Sequence, residues 1–101
     1  MGKKYDLNGK VALITGATGG IGAASARALY QQGASLVLTD LSRQALDSLA
    51  TEFDAQRVLA LPLDVTDAAA SKAVVEQIVE RFGRLDIAFA NAGIAWRNTP
   101  A

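Results

Sequence analysis

The sequence predicts an α/β domain on a doubly wound parallel sheet, in the order βαβαβαβ. Three observations predict it. Strand-like apolar runs alternate with stretches of helical periodicity, with no repeat, low-complexity tract or linker between them. The first apolar run is unbroken rather than alternating, as expected of a strand covered on both faces. That run also passes directly into a glycine-rich turn and a helix, residues 15–22 reading Thr-Gly-Ala-Thr-Gly-Gly-Ile-Gly.

The elements follow in order. Residues 11–15 (Val-Ala-Leu-Ile-Thr) make the first strand. Residues 20–32 make the first helix, with Ile21, Ala24, Ala28 and Leu29 at helical spacing and Gly33 just past its end. Residues 35–39 (Ser-Leu-Val-Leu-Thr) are the second strand. Ser42 caps the second helix, whose Leu46, Leu49, Ala50 and Phe53 form one stripe. Residues 58–63 are the third strand, with Pro62 near its end. Thr66 or Asp67 caps the third helix, with Val74, Val75, Ile78, Val79 and Phe82 inward and Gly83 as its stop. Residues 87–90 are a short fourth strand.

Right-handed crossovers put the first two helices on one face as the sheet grows from strand one to strand three. Strand four then returns to the other side of strand one, and the third helix covers the opposite face. The expected spatial order is 3-2-1-4. Its crevice lies between strands one and four at their C-terminal ends, where such sheets bind ligands.

Composition narrows the function classes. A chain of 101 residues is one domain or part of one, burying about two thirds of its unfolded surface. Ten basic and ten acidic residues balance to zero, which argues against nucleic acid or an anionic membrane as partner. There is no cysteine, hence no disulfide framework or thiolate metal site. There is no histidine, which removes the commonest general base and metal ligand. No metal site is expected. The apolar runs are too short to span a bilayer. Met1-Gly2-Lys3-Lys4-Tyr5-Asp6 carries neither a signal-peptide core nor the Ser or Thr of a myristoylation signal. A soluble, cytoplasmic protein is expected.

The glycine turn is the first chemical motif. Gly16 suits a tight exit from the strand, Gly19 or Gly20 admits close approach of a pyrophosphate, and Gly22 lets the helix pack on the sheet. A helix start offers unpaired N–H groups and the positive end of its dipole to an anion. Asp40 ends the second strand 18 residues after Gly22, where an acid pairs with ribose hydroxyls. A carboxylate there also repels a 2′-phosphate, by up to ~4 kcal/mol per charge pair at an effective dielectric of 20, which favours NAD over NADP. Asp64-Val65 ends the third strand; the acid either accepts from an adenine amino group, with Val65 beside the ring, or serves the next helix start. Asn91-Ala92-Gly93 ends the fourth strand and reads either as a close-approach site for a ribose or as a plain turn.

Together these residues resemble the short-chain dehydrogenase/reductase family. Residues 11–16 with Gly20-Ile21-Gly22 look like its TGxxxGIG signature, Asp64-Val65 like its adenine-pocket pair, and Asn91-Ala92-Gly93 like its NAG motif. Gly19 also satisfies the TGxxGxxG form of the extended branch, and Asn91-Ala92-Gly93 decides for the short-chain branch. The resemblance runs from about Leu7 to Ala95. It implies a Rossmann fold, a nicotinamide cofactor, and hydride transfer to or from an alcohol or ketone. Its cofactor-contacting positions fall on Gly16, Thr18, Gly19, Gly20, Ile21, Gly22, Asp40, Leu41, Asp64, Val65, Asn91, Ala92 and Gly93. Arg43 stands one turn beyond the place for a phosphate contact.

The family's chemistry needs a tyrosine with a lysine four residues on, and a serine. The tyrosines here are Tyr5 and Tyr30, followed at that spacing by Gly9 and Ala34. The expectation is therefore that residues 1–101 are the N-terminal, dinucleotide-binding half of a single Rossmann domain, with no catalytic residue and no turnover alone. The full-length form is expected to be a homo-oligomer acting on a small molecule, and the chain alone to be marginally stable or to self-associate through the fourth strand's open apolar edge. Trp96 and Arg97 either line a pocket mouth or belong to a chain end. The alternative is a free-standing nucleotide-binding module.

Overall fold

The structure is a computed structural model that describes residues 6–90. Four strands, β1 (Val11–Thr15), β2 (Ser35–Asp40), β3 (Val58–Pro62) and β4 (Ile87–Ala90), form one parallel sheet in the order β3-β2-β1-β4. The crossovers are α1 (Gly20–Gln31), α2 (Arg43–Ala50) with a 3-10 turn at Ala55–Arg57, and α3 (Ala68–Phe82). Ile14 stands opposite Leu38 and Phe89, and Asp40 opposite Pro62. The alternation and the 3-2-1-4 order are those expected from the sequence.

The sheet splits the core in two. Ala12, Ile14, Leu36 and Leu38 pack with Ala23 and Ala26 of α1 and Leu46 and Leu49 of α2. On the other face Val11, Val37 and Leu63 pack with Val74 and Ile78 of α3. The period of two in a strand sends alternate residues to the two clusters, so the apolar run in β2 serves both faces at once. Thr39 is the one buried polar residue described, and its hydroxyl donates to the Ile14 carbonyl at 3.2 Å. At the opposite end of the sheet, Asp86 joins β4 to β1: Oδ2 accepts from Val11 N, and its own N–H donates to Val11 O, both at 2.9 Å.

The helical faces differ from the expected ones. Ile21 is 67% exposed, and Ala24 and Ala28 are exposed with it. The buried face of α1 is Gly22, Ala23 and Ala26, with Leu29 and Tyr30 half-buried below them. The helix lies against the sheet on its smallest residues, so proximity rather than hydropathy sets its inner face. Phe53 lies beyond the end of α2 and packs on Tyr30, ring centroids 4.8 Å apart. Val74 and Ile78 point inward from α3, but Val75 and Val79 are 40% and 49% exposed. A step of one residue turns about 100° around a helix, which carries both valines off the packed face.

The boundaries move slightly. β2 runs on to Asp40, and β3 stops at Pro62, just beyond which Leu63 N still donates to Asp40 O at 2.8 Å. α1 stops at Gln31, and Gly33 follows at φ +108°. Of the two candidate caps for α3, Asp67 is the one used: it accepts from Ala70 N at 3.0 Å, as Ser42 accepts from Ala45 N at 3.1 Å. Asp67→Ala is expected to cost about 1 kcal/mol, read as a lower urea midpoint at unchanged slope. Among the described residues no helix is long and apolar enough to cross a membrane, and no group of three or more His, Cys, Asp or Glu is placed to hold a metal.

Candidate functional site

The C-terminal ends of β1, β2 and β3 converge on the glycine turn. Gly16 leaves β1 at φ +65°, a left-handed conformation costly for other residues. Ala17 is buried, and its N–H donates to Thr39 O at 3.0 Å. Thr18 turns back on Asp40: its N–H (3.0 Å) and its hydroxyl both donate to Asp40 Oδ2. Gly19 N donates to Gly16 O at 3.2 Å and closes the turn.

Gly19 is the N-cap of α1 and brings no side-chain cap, and the first turn carries no acidic residue. Both other α-helices have a capping oxygen. The N–H groups of Gly20, Ile21 and Gly22 therefore have no partner among the described residues, at the positive end of the helix dipole. Gly22 makes this arrangement possible. A Cβ there would lie 2.2 Å from Gly16 O and 2.9 Å from Ala17 Cα, so the helix start is pressed directly onto the turn.

Asp40 faces the same space. Its Oδ1 accepts from Leu41 N at 2.8 Å, while Thr18 occupies Oδ2. Burial alone would push this carboxyl up, but the hydrogen bonds from Thr18 and Leu41 outweigh it and hold the group below its ordinary range. It is a carboxylate at neutral pH. Asp64 is also engaged: Oδ1 accepts from Thr66 N (3.0 Å) and from the Thr66 hydroxyl (2.6 Å), which lower its pKa. It shapes the turn into α3 and is not that helix's cap.

Gly16, Thr18, Gly19, Asp40, Leu41, Leu63, Asp64, Val65 and Thr66 line one open cavity of about 510 Å³. Most of the described residues singled out from the sequence thus meet in one groove. Gly20, Ile21 and Gly22 stand outside its lining: Gly22 packs behind the turn, and Ile21 points to solvent. Leu63 and Thr66 line the groove without having been read as ligand contacts; both flank Asp64-Val65, which is the signal that finds them. The groove crosses the ends of β1, β2 and β3; the residues that follow β4, on the other side of the expected crevice, lie outside the described residues. Asn91, Ala92, Gly93, Trp96 and Arg97 lie outside the described residues. Arg43 is turned along α2 to Asp47, 3.2 Å away.

Comparison with known proteins agrees with this geometry. The family model described as short chain dehydrogenase matches residues 10–101. A 3-oxoacyl-acyl-carrier-protein reductase of Thermotoga maritima is 44% identical over 90 residues, 87% of this chain and 37% of that protein. Human 15-hydroxyprostaglandin dehydrogenase, named for NAD(+), is 41% identical over 92 residues, 87% of this chain and 35% of that protein. A crystal structure of a short-chain dehydrogenase/reductase from Brucella melitensis superposes with a TM-score of 0.81 at 36% identity, covering 85% of this chain and 37% of that one. The chain thus spans little more than a third of the length of these proteins. Sheet order, glycine turn and matched residues lead to one assignment: the chain belongs to the short-chain dehydrogenase/reductase family.

Proposed function

We propose that the groove holds the adenosine and pyrophosphate of NAD, and that this chain is the cofactor-binding portion of an oxidoreductase acting on an alcohol or ketone. The observation that carries the reading is a helix start without a side-chain cap, its N-cap residue Gly19 at the rim of a groove that also holds an ionised Asp40. The residues fit the group. The N–H groups of Gly20, Ile21 and Gly22 suit a pyrophosphate, and Gly16 and Gly19 bring no side chain into its way. Of the groove's lining, Asp40 and Leu41 are assigned to the ribose, and Asp64 and Val65 to the adenine. Asn91, Ala92 and Gly93 complete the proposed set. When bound, the nicotinamide supplies the hydride donor or acceptor; the residues here bind and orient it.

The described lining of glycine, threonine, aspartate, leucine and valine suits the holding of a nucleotide. The Tyr30 hydroxyl is engaged elsewhere, accepting from Asp54 N at 3.1 Å. The same proposal takes the protein to be cytoplasmic and homo-oligomeric. It takes the edge of β4, where Phe89 is 37% exposed, as the surface through which the chain self-associates.

The test is calorimetric titration with both nucleotides. The chain is expected to bind NAD about tenfold or more tightly than NADP, because a 2′-phosphate meets the Asp40 carboxylate. Equal or reversed affinities contradict the NAD preference. Heat from neither nucleotide contradicts the reading as a whole.

A further inference from the structure

We propose that Asp40 and Thr18 form a latch that sets the shape of the glycine turn before any nucleotide arrives. Asp40 is then a positioning residue for the phosphate contact as well as a partner for ribose. The ligand side of this proposal rests on the dinucleotide reading above; the latch itself does not.

Two ties hold the turn to the end of β2. Ala17 N donates to Thr39 O, backbone to backbone. One residue on, the tie is a side chain: Thr18 gives both its N–H and its hydroxyl to Asp40 Oδ2. Beyond Thr18 the turn closes only on itself, through Gly19 N to Gly16 O, before the uncapped start of α1. The seating of the α1 start on the turn is therefore set on one side by the Gly22–Gly16 contact and on the other by Asp40.

Acceptor capacity sharpens the point. A carboxylate offers about four lone-pair sites. Thr18 occupies two on Oδ2, and Leu41 N takes one on Oδ1. A ribose diol brings two donors to a carboxylate with about one site left. Three of the Asp40 acceptor sites are thus directed at the chain itself.

The two roles predict opposite signs. If Asp40 served only the ribose, its removal would leave a ligand without ribose hydroxyls unaffected. It would even strengthen that ligand's binding, since a negative charge near the phosphates is lost. If Asp40 holds the turn, removal weakens that ligand too.

The experiment uses the 101-residue chain and three variants, Asp40→Ala, Thr18→Val and Thr18→Ser. Amide exchange is followed by NMR without nucleotide. The amides of residues 18 and 19 are expected to exchange about tenfold faster in Asp40→Ala and about threefold faster in Thr18→Val. Ala17, whose N–H keeps its backbone acceptor, is expected to be unchanged, and Thr18→Ser to match the parent. Binding of 2′,3′-dideoxy-ADP is expected to weaken in the same order and to be rescued by Thr18→Ser. Unchanged exchange at residues 18 and 19 in Asp40→Ala overturns the latch. So does equal acceleration at Ala17, and so does unchanged or tighter dideoxy-ADP binding in Asp40→Ala. A parent chain that binds neither NAD nor dideoxy-ADP defeats the nucleotide reading, while the exchange arm still decides the latch.

Discussion

Gly22→Ala is expected to destabilise the chain by about 1–3 kcal/mol and to abolish nucleotide binding. The sign is opposite to the usual one. Glycine inside a helix ordinarily costs roughly 0.5–1 kcal/mol relative to alanine, so the replacement should help. Here the new Cβ would lie 2.2 Å from Gly16 O and 2.9 Å from Ala17 Cα. Both obstacles are backbone, so neither can swing aside as a side-chain tip would. The helix start must lift away from the turn, and the core contacts of Ala23 and Ala26 loosen with it. The comparison is Gly20→Ala. A Cβ at Gly20 meets nothing within 4 Å, so its thermal midpoint should stay within a few degrees of the parent. If a pyrophosphate approaches there, Gly20→Ala still weakens nucleotide binding. Thermal melts and calorimetry on the pair separate packing from ligand clearance, and a stabilised Gly22→Ala would show that the helix start is not pressed on the turn.

Ile78→Ala is expected to be the most damaging single truncation on the second face of the sheet, at about 2–5 kcal/mol. Within α3 only Val74 and Ile78 are buried, and Ile78 is fully so. A domain of this kind holds roughly 5–15 kcal/mol in total, so the loss removes a large share of it. Val75→Ala and Val79→Ala, one helical step away, should each stay within about 0.5 kcal/mol of the parent. Urea denaturation of the three variants measures this directly. Three similar losses would mean that the exposed flank of α3 is covered in solution.

How much of this was legible in the sequence depended on the kind of signal. The strand order was, because alternation and right-handed crossovers leave few ways to wind four parallel strands. The glycine turn and Asp40 were, because backbone conformation and a strand-end acid have residue-type requirements. The inner face of α1 was not. Gly22, Ala23 and Ala26 are buried by closeness, and small residues carry almost no periodic hydropathy. Val75 and Val79 misled for the converse reason: they are apolar, yet they sit off the packed stripe. The engagement of Asp40 by Thr18 was also hidden, since spacing says which residues end a strand and not which hydrogen bonds they have already made. Arg57 left no trace either. Its guanidinium sits 3.8 Å over the Tyr30 ring and donates to the carbonyls of Tyr30 and Ala34, a tertiary contact with no sequence pattern. Leu63 and Thr66 join the lining of the 510 Å³ groove from the end of β3, and neither carries a pattern of its own.

The central claim is that the glycine turn, Asp40 and the Asp64–Thr66 turn act as one dinucleotide site. NMR shift mapping during an NAD titration tests it most directly. The account predicts saturable shifts concentrated at residues 16–22, 40–41 and 63–66, with the amides of Gly20, Ile21 and Gly22 moving most. Saturable shifts that instead centre on a smaller cavity between α2 and β3, lined by Ala50, Phe53 and Val58, would contradict it.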